Sequence, residues 1–230
     1  MIQAAHSLSR KGEQGRVKIQ SGNDSDVYHR GVDPVTAFVL AGGKSVRMGE
    51  DKAFLRLEDR TLLARALELA RAAAGSVWIV GSRTKFAAFG PVVEDVYPER
   101  GPLGGIHAAL IQTTTDLNLL IAVDLPFLRP DFLNYLIARA RATTAVVVVP
   151  NVGGGLQPLC AVYRRGFAEV AERSLGAGKN KIDCLFPEVQ TRIIDQEEMK
   201  QNGFSEEMFR NLNTQEDWKE AGMRLPAESA

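Results

Sequence analysis

Residues 40–52 read Leu40-Ala41-Gly42-Gly43-Lys44-Ser45-Val46-Arg47-Met48-Gly49-Glu50-Asp51-Lys52. They follow the apolar run from Val35 to Leu40, whose β-branched and aromatic residues predict a buried parallel strand. The glycine pair after this strand allows positive φ angles and lets backbone N–H groups approach an anion without an intervening Cβ. Arg47 and Lys52 add the positive charge that a triphosphate requires when another anion attacks its α-phosphorus. The stretch therefore predicts a strand followed by a loop that binds a nucleoside triphosphate.

This loop matches neither of the two commonest phosphate-binding patterns. The P-loop requires G-x-x-x-x-G-K-[ST], and the dinucleotide fingerprint requires G-x-G-x-x-G with an acidic residue about twenty positions further on. Neither pattern can be placed on residues 40–52. The sequence therefore argues against ATPase motors and NAD-dependent dehydrogenases.

The composition is that of an ordinary α/β domain. The chain has 230 residues, of which 45% are hydrophobic and 24% are charged. Its 28 basic and 28 acidic residues cancel, so no global field attracts nucleic acid or an anionic membrane. Cys160 and Cys184 have no partners at metal-ligand spacing, and we expect both to be reduced in a cytoplasmic protein. With only three histidines, a histidine-based metal site or catalytic dyad is disfavoured.

Apolar strands alternate with amphipathic helices through the first two thirds of the chain. This alternation predicts a Rossmann-like α/β fold, with a mainly parallel sheet and helices on both faces. We predict strands at 35–40, 77–80, 91–94, 118–123, 145–150 and 158–163, and helices at 61–74, 102–112, 130–141, 167–175 and 180–186.

Two carboxylates follow predicted strands directly. Asp124 ends a nearly continuous apolar strand, where an unpaired charge would be costly, and Mg²⁺ is the natural partner for it. The alternative is that Asp124 only caps the following turn. Because ligands bind beyond the carboxyl ends of parallel strands, Asp124, Asp95 and the loop at Gly42 are expected to converge at one edge of the sheet.

The pattern L-A-G-G-x-S-x-R-M-G-x-D-K resembles the signature of the molybdenum cofactor guanylyltransferases, within the wider nucleotidyltransferase family. Four later segments are similar to further motifs of that family. They are Glu94-Asp95 with Gly101-Pro102-Leu103-Gly104-Gly105-Ile106, then Ala122-Val123-Asp124-Leu125-Pro126-Phe127-Leu128, Gln157-Pro158-Leu159-Cys160-Ala161-Val162-Tyr163, and Phe209-Arg210-Asn211-Leu212-Asn213-Thr214-Gln215-Glu216-Asp217. The resemblance extends from Val35 to Trp218.

The resemblance implies a nucleotide-diphospho-sugar transferase-like fold and the transfer of GMP from GTP to molybdenum-molybdopterin, with release of pyrophosphate. It implies Mg²⁺ as the cofactor, bound by Asp124. The implied catalytic residues are Arg47, Lys52 and Asp124. The implied GTP contacts are Leu40, Ala41, Gly42, Gly43, Lys52, Asp95 and Asp124.

Three other functions remain open at this point. Cytidylyl transfer to the same acceptor is disfavoured, because such relatives show L-A-A-G at the first motif and lack the Gly-Pro-Leu-Gly-Gly motif. Sugar-1-phosphate transfer is disfavoured, since its loop reads G-T-R-L. A non-catalytic module that binds GTP and delivers the cofactor is disfavoured by Lys52 and Asp124. One departure is that Gly81-Ser82 stands where some relatives carry an asparagine that contacts the nucleotide.

Other residues allow two interpretations each. Asp51 fits the family pattern and is expected to orient Lys52 rather than to bind phosphate. His107 is expected to lie on a helix face rather than act as a general base. In Asn211-Leu212-Asn213-Thr214, either Thr214 caps a final helix or an asparagine contacts the acceptor or the metal.

We expect residues 1–34 to form a flexible N-terminal extension, without the apolar core of a secretory signal. Residues 35–222 are expected to form a single nucleotidyltransferase domain, followed by a tail at 223–230. Within the domain, residues 35–150 form the predicted GTP-binding half and residues 151–222 the predicted acceptor-binding half. The predicted substrates are GTP and molybdenum-molybdopterin. Molybdoenzyme apoproteins or delivery chaperones are open as protein partners, and neither nucleic acid nor a membrane is expected.

Overall fold

The computed structural model describes residues 34–42, 46–47 and 50–212, with the backbone alone for residues 46, 47 and 50. The predictions for the N-terminal extension, Gly43, Asn213, Thr214 and the tail lie outside this part of the chain. The strands are β1 Val35–Leu40, β2 Val46–Arg47, β3 Glu50–Asp51, β4 Arg56–Leu57, β5 Arg60–Thr61, β6 Ser76–Val80, β7 Val92–Val93, β8 Leu117–Ala122, β9 Val147–Val152, β10 Gly155–Leu156, β11 Cys160–Arg164 and β12 Thr191–Ile194. The helices are α1 Leu62–Ala73, α2 Arg83–Phe86, α3 Pro102–Gln112, α4 Pro130–Arg141, α5 Phe167–Gly176 and α6 Gln196–Gln201.

Among the described residues, eight strands form one mixed sheet. Its order is β10-β9-β11-β8-β1-β6-β7, and β12 pairs with β9. The neighbours β8, β1, β6 and β7 all run parallel, whereas β11 is antiparallel to both β8 and β9. The predicted Rossmann-like, mainly parallel sheet is confirmed, and its parallel part brings the carboxyl ends of β1, β6, β7 and β8 to one edge.

Helices cover both faces of the sheet, as predicted. Side chains along β1 alternate between two apolar clusters, with Val39 in one and Phe38 in the other. The first cluster contains the buried faces of α1 and α4, and the second contains those of α3 and α5. No helix in the described ranges has both the length and the hydrophobicity that a membrane span requires.

Most helix starts follow from local chemistry. The hydroxyl of Thr61 accepts a hydrogen bond from the Ala64 N–H at 3.1 Å, which caps α1 as predicted. Pro102 and Pro130 occupy the first positions of α3 and α4, also as predicted. The strand β12 and the helix α6 were not predicted, because neither shows a clear apolar periodicity. The predicted helix at 180–186 is instead a 3₁₀ helix at Asp183–Glu188.

One fully buried polar side chain, Asn118, interrupts the apolar strand β8. Its amide nitrogen donates to the carbonyl oxygens of Asp116 at 2.9 Å, Thr115 at 3.2 Å and Tyr163 at 3.4 Å. Its amide oxygen accepts from the Thr115 hydroxyl at 3.2 Å. Asn118 therefore links β8 to β11 at the edge of the sheet opposite the one where the sequence places the ligand loops.

Gly81 allows the loop after β6 to pack closely against its neighbours. A Cβ at this position would lie 2.8 Å from Cε2 of Phe86 and 3.2 Å from the backbone nitrogen of Gly42. The hydroxyl of Ser82 pairs with that of Thr84 at 2.8 Å. At Gly81, Phe86 therefore occupies the space that a side chain would need.

Gly81→Ala should lower the free energy of unfolding by about 1–3 kcal/mol, because overpacking forces Phe86 out of its position. Urea unfolding of purified protein measures the change. Gly75→Ala is the matched control, since a Cβ there meets nothing within 4 Å. The double variant Gly81→Ala/Phe86→Leu should regain part of the loss, and equal destabilisation by the two glycine variants would contradict the steric explanation.

Candidate active site

Lys52 begins a short 3₁₀ helix, Lys52–Phe54, directly after β3. The Asp51 carboxylate caps this helix, because its Oδ1 accepts from the Ala53 N–H at 3.1 Å. The Lys52 carbonyl accepts from the Leu55 N–H at 3.2 Å, and Ala53 is fully buried. The backbone of Lys52 is therefore fixed at both ends of a single turn.

Asp124 lies in the turn that follows β8, and this turn is tied to β1. The Val123 N–H donates to the Leu40 carbonyl at 3.1 Å. The Lys52 Nζ donates to Oδ2 of Asp124 at 2.9 Å, across 72 positions of sequence. The two side chains are only 12% and 29% exposed, respectively. The structure therefore brings Lys52 and Asp124 into one ion pair at the predicted edge.

This ion pair changes two expectations for Asp124. The sequence suggested that its charge needs a partner, with Mg²⁺ as the natural one, and the structure shows the ammonium group of Lys52 as a partner. Among the described residues, the Asp124 carboxylate accepts no backbone N–H, so it does not cap the turn. The ion pair stabilises the carboxylate, which stays partly open to solvent.

The carbonyl of Val80 accepts two hydrogen bonds from the loop after β1. The N–H groups of Ala41 and Gly42 both lie 3.0 Å from it. We expected these amides to face an anion, and instead they fasten the end of β1 to the end of β6. These two N–H groups are therefore already bonded within the protein and do not point at a ligand. The N–H groups of Gly43 and of the two residues after it lie outside the described part of the chain.

Asp95 follows β7, and its carboxylate lies beside the start of α3. Its oxygens are 3.5 Å and 3.6 Å from the positions that Cβ atoms of Gly105 and Gly104 would occupy. The same Cβ on Gly105 would lie 3.1 Å from Leu40 Cδ2, so this glycine pair lets the helix approach β1. Although the residue as a whole is exposed, partial burial raises the pKa of the Asp95 carboxyl above its usual range.

Sequence reasoning missed Lys85, which extends the network around Lys52. Its Nζ lies 2.7 Å from Asp51 Oδ2, so Asp51 both caps the 3₁₀ helix and pairs with α2. Asp51 therefore acts on Lys52 through the backbone, because its carboxylate caps the 3₁₀ helix that Lys52 begins. Arg47 lies in a two-residue strand pair with Glu50, and its side chain lies outside the described residues.

The Asp124 carboxylate suits a metal cation that takes its other ligands from a substrate and from water. In the described ranges, no three histidine, cysteine, aspartate or glutamate side chains cluster as a metal site. Asp124 offers one carboxylate, with one oxygen bonded to Lys52 and the side chain 29% exposed. A hard divalent cation that completes its shell with phosphate oxygens and waters fits such a site.

His107 is a fully enclosed helix residue. It is buried on α3, and neither ring nitrogen has a hydrogen-bond partner in the part of the chain that the structure describes. The ring meets the edge of Tyr97 at 5.3 Å between centroids. Burial lowers its pKa below the usual 6.5, while the charge of Glu172 acts in the opposite direction. The expectation that His107 is not a general base agrees with this enclosure.

A family model described as the MobA-like NTP transferase domain matches residues 37–189. The chain belongs to this family. The resemblance inferred from the first and third motifs is therefore confirmed, and membership makes this MobA-like chain a nucleotidyltransferase.

Curated relatives match this chain over more than four fifths of its length. The chain is 32% identical over 199 residues to a molybdenum cofactor guanylyltransferase of Desulfosudis oleivorans, covering 85% of this chain and 98% of that protein. It is 31% identical over 195 residues to the one from Syntrophotalea carbinolica, covering 83% and 93%. A solved structure of molybdopterin-guanine dinucleotide biosynthesis protein A from Archaeoglobus fulgidus matches with 25% identity and a TM-score of 0.72, covering 82% and 97%.

Stability should depend on pH through His107. The pKa of His107 is lower in the folded protein than in the unfolded chain, so the unfolded chain takes up the proton first as the pH falls. The contribution of neutral His107 to the free energy of unfolding is therefore complete above pH 6.5. It is lost as the pH falls from 6.5 toward the pKa of the folded state. Urea unfolding between about pH 7.5 and pH 5.5 should therefore show a smaller loss for His107→Leu than for the unchanged protein. Equal losses in the two proteins would show that His107 does not contribute.

Proposed function

We propose that this enzyme transfers GMP from GTP to the terminal phosphate of molybdenum-molybdopterin, forming molybdopterin guanine dinucleotide and releasing pyrophosphate. The observation that carries this proposal is the ion pair of Lys52 with Asp124, at the edge where β1 and β8 end. The names of the curated relatives support the same substrate pair. We place the reaction in the cytoplasm, with the product passing to molybdoenzyme apoproteins or delivery chaperones.

The chemistry is an in-line displacement at phosphorus. An oxygen of the acceptor phosphate forms a bond to the α-phosphorus of GTP, and the bond from this phosphorus to the bridging oxygen breaks. Pyrophosphate leaves with that electron pair. A phosphate monoester is ionised at neutral pH, so no general base is needed. Catalysis then rests on positioning and on neutralising negative charge.

Lys52 supplies a cation that its capped turn presents at the sheet edge. In this proposal Lys52 and Arg47 neutralise different phosphate oxygens, since lysine is a point charge and arginine a planar fork. Asp95 accepts hydrogen bonds from guanine or ribose, at its place beside the start of α3. The nucleotide lies along the loop of residues 40–43, which contains Leu40, Ala41, Gly42 and Gly43.

Asp124 would bind Mg²⁺ together with the phosphates of GTP. When bound, Mg²⁺ supplies positive charge that offsets the repulsion between the triphosphate and the acceptor phosphate. The partly exposed carboxylate of Asp124 fits such a shared site. The ion pair with Lys52 orients the Asp124 carboxylate before substrate arrives.

Asp124→Asn should lower the rate of pyrophosphate release about 10²–10³-fold, because losing one electrostatic contact in the transition state costs ~2.7–4 kcal/mol. Lys52→Met should have a similar effect. A coupled pyrophosphate assay with MgGTP and molybdenum-molybdopterin measures both.

Asp59→Asn is the matched control, since Asp59 is an exposed residue in the turn between β4 and β5. The double variant Lys52→Met/Asp124→Asn removes both charges of the pair and tests whether lost rate reflects lost folding. Unchanged turnover in Asp124→Asn, with melting temperatures equal to that of the unchanged protein, would refute the assignment.

A competition experiment tests the nucleotide. With GTP and CTP present together at equal concentration, the mass spectrum of the product should show the guanine dinucleotide. A cytosine dinucleotide would assign cytidylyl transfer instead. Tight GTP binding without pyrophosphate release would favour a non-catalytic delivery module.

A further inference from the structure

A cavity of about 640 Å³ lies between the second half of α5 and the 3₁₀ helix Asp183–Glu188. We call it the α5 cavity. Val170 and Leu185 give it an apolar lining, and Arg173, Lys179 and Lys181 give it positive charge. Its volume is in the range of sites that bind cofactor-sized organic molecules.

The charge of the α5 cavity is unbalanced. Of its lining residues, three are cationic, and Glu188 is the one carboxylate among them. The side chains of Arg173, Lys179 and Lys181 form no ion pair or hydrogen bond with the described residues, whereas Arg164 on the preceding strand β11 pairs with Asp116. The chain as a whole carries 28 basic and 28 acidic residues, so this positive excess is local and attracts an anion.

The turn that carries Lys179 is firmly built. Its N–H donates to the Ser174 carbonyl at 2.9 Å, and the Ser174 hydroxyl donates to the Lys179 carbonyl at 3.0 Å. Gly178, with φ of 74°, provides the left-handed residue that the end of α5 requires. These bonds satisfy the carbonyls at the end of the helix and fix the backbone from which the lysine projects.

The turn at the end of α5, which lines the α5 cavity, approaches the segment between β7 and α3. Helix α5 packs over β9 and β11 through Phe167, whereas Lys52 and Asp124 belong to the ends of β1 and β8. A Cβ on Gly178 would lie 3.9 Å from Nη1 of Arg100, the residue shortly before α3. The loop that carries Lys179 therefore approaches Arg100, five residues after Asp95.

We propose that the α5 cavity binds the acceptor, an anionic organic phosphate, through Arg173, Lys179 and Lys181. This inference rests on the proposed function and names the residues of the acceptor site. The reaction brings two anions together, and Lys52 is assigned to the triphosphate. A second set of cations is therefore needed to bind the acceptor, and the α5 cavity provides three of them without ion-pair partners.

The double variant Lys179→Gln/Lys181→Gln should raise the KM for molybdenum-molybdopterin roughly tenfold or more, since hydrogen bonds to charged groups are among the stronger ones. The KM for GTP and the kcat at saturating acceptor should stay unchanged. Arg173→Gln should act in the same direction, and Lys179→Arg/Lys181→Arg should restore most of the affinity. Lys200→Gln, an exposed lysine on α6, is the matched control.

Cys184 offers a second readout. It lines the α5 cavity and is exposed, whereas Cys160 is fully buried and burial raises the pKa of its thiol far above the usual range. A bulky maleimide, with the excess removed before assay, should therefore modify Cys184 and raise the acceptor KM without changing the GTP KM. In Cys184→Ser, the same treatment should leave kinetics equal to those of the untreated variant.

The outcomes separate this inference from the proposed function. If the unchanged protein releases no pyrophosphate with GTP and molybdenum-molybdopterin, the proposed function fails. If it is active but the glutamine variants and the maleimide adduct keep the original acceptor KM, the α5 cavity is not the acceptor site. A rise in the GTP KM instead would assign the cavity to the nucleotide and overturn the inference.

Discussion

The site depends on one contact between distant parts of the chain, the ion pair of Lys52 with Asp124. These residues are 72 positions apart, and they meet because β1 and β8 are parallel neighbours. The carboxylate is carried by the turn after an entirely buried strand, and the ammonium by a capped 3₁₀ turn. Each charge is only partly exposed, so the ion pair offsets part of the cost of removing the two charges from water.

The same edge of the sheet also depends on two glycines that allow close packing. Gly81 lies against Phe86, and Gly105 lies against Leu40, so strands and helix approach more closely than side chains would permit. The carbonyl of Val80 accepts hydrogen bonds from Ala41 and Gly42 and so holds the loop after β1 against the end of β6. At this edge, therefore, the glycines leave the backbone without side chains at the points of closest approach.

The sequence predicted the parts of the fold that have strong local signals. The buried strand at 117–122 follows from a nearly continuous apolar run, and α1 follows from its Thr61 cap. The reversed direction of β11 could not be predicted, because strand periodicity is the same in both directions. The pairing of Asp51 with Lys85 was missed, since a surface ion pair 34 positions apart leaves no sequence pattern. The positions of Asp95 after β7 and of Asp124 after β8, at the ends of parallel strands, were predictable from the strand ends alone.

Asn118 has a consequence for the opposite edge of the sheet. Side chains alternate along a strand, so slippage of β8 by a single residue would turn its whole row of side chains to the other face. The bonds of Asn118 to Thr115 and Asp116 are local, but its bond to the Tyr163 carbonyl on β11 forms in only one alignment of the two strands. Asn118 thus favours one register of β8. That register in turn fixes the position of Asp124, which follows the other end of the strand roughly 20 Å away.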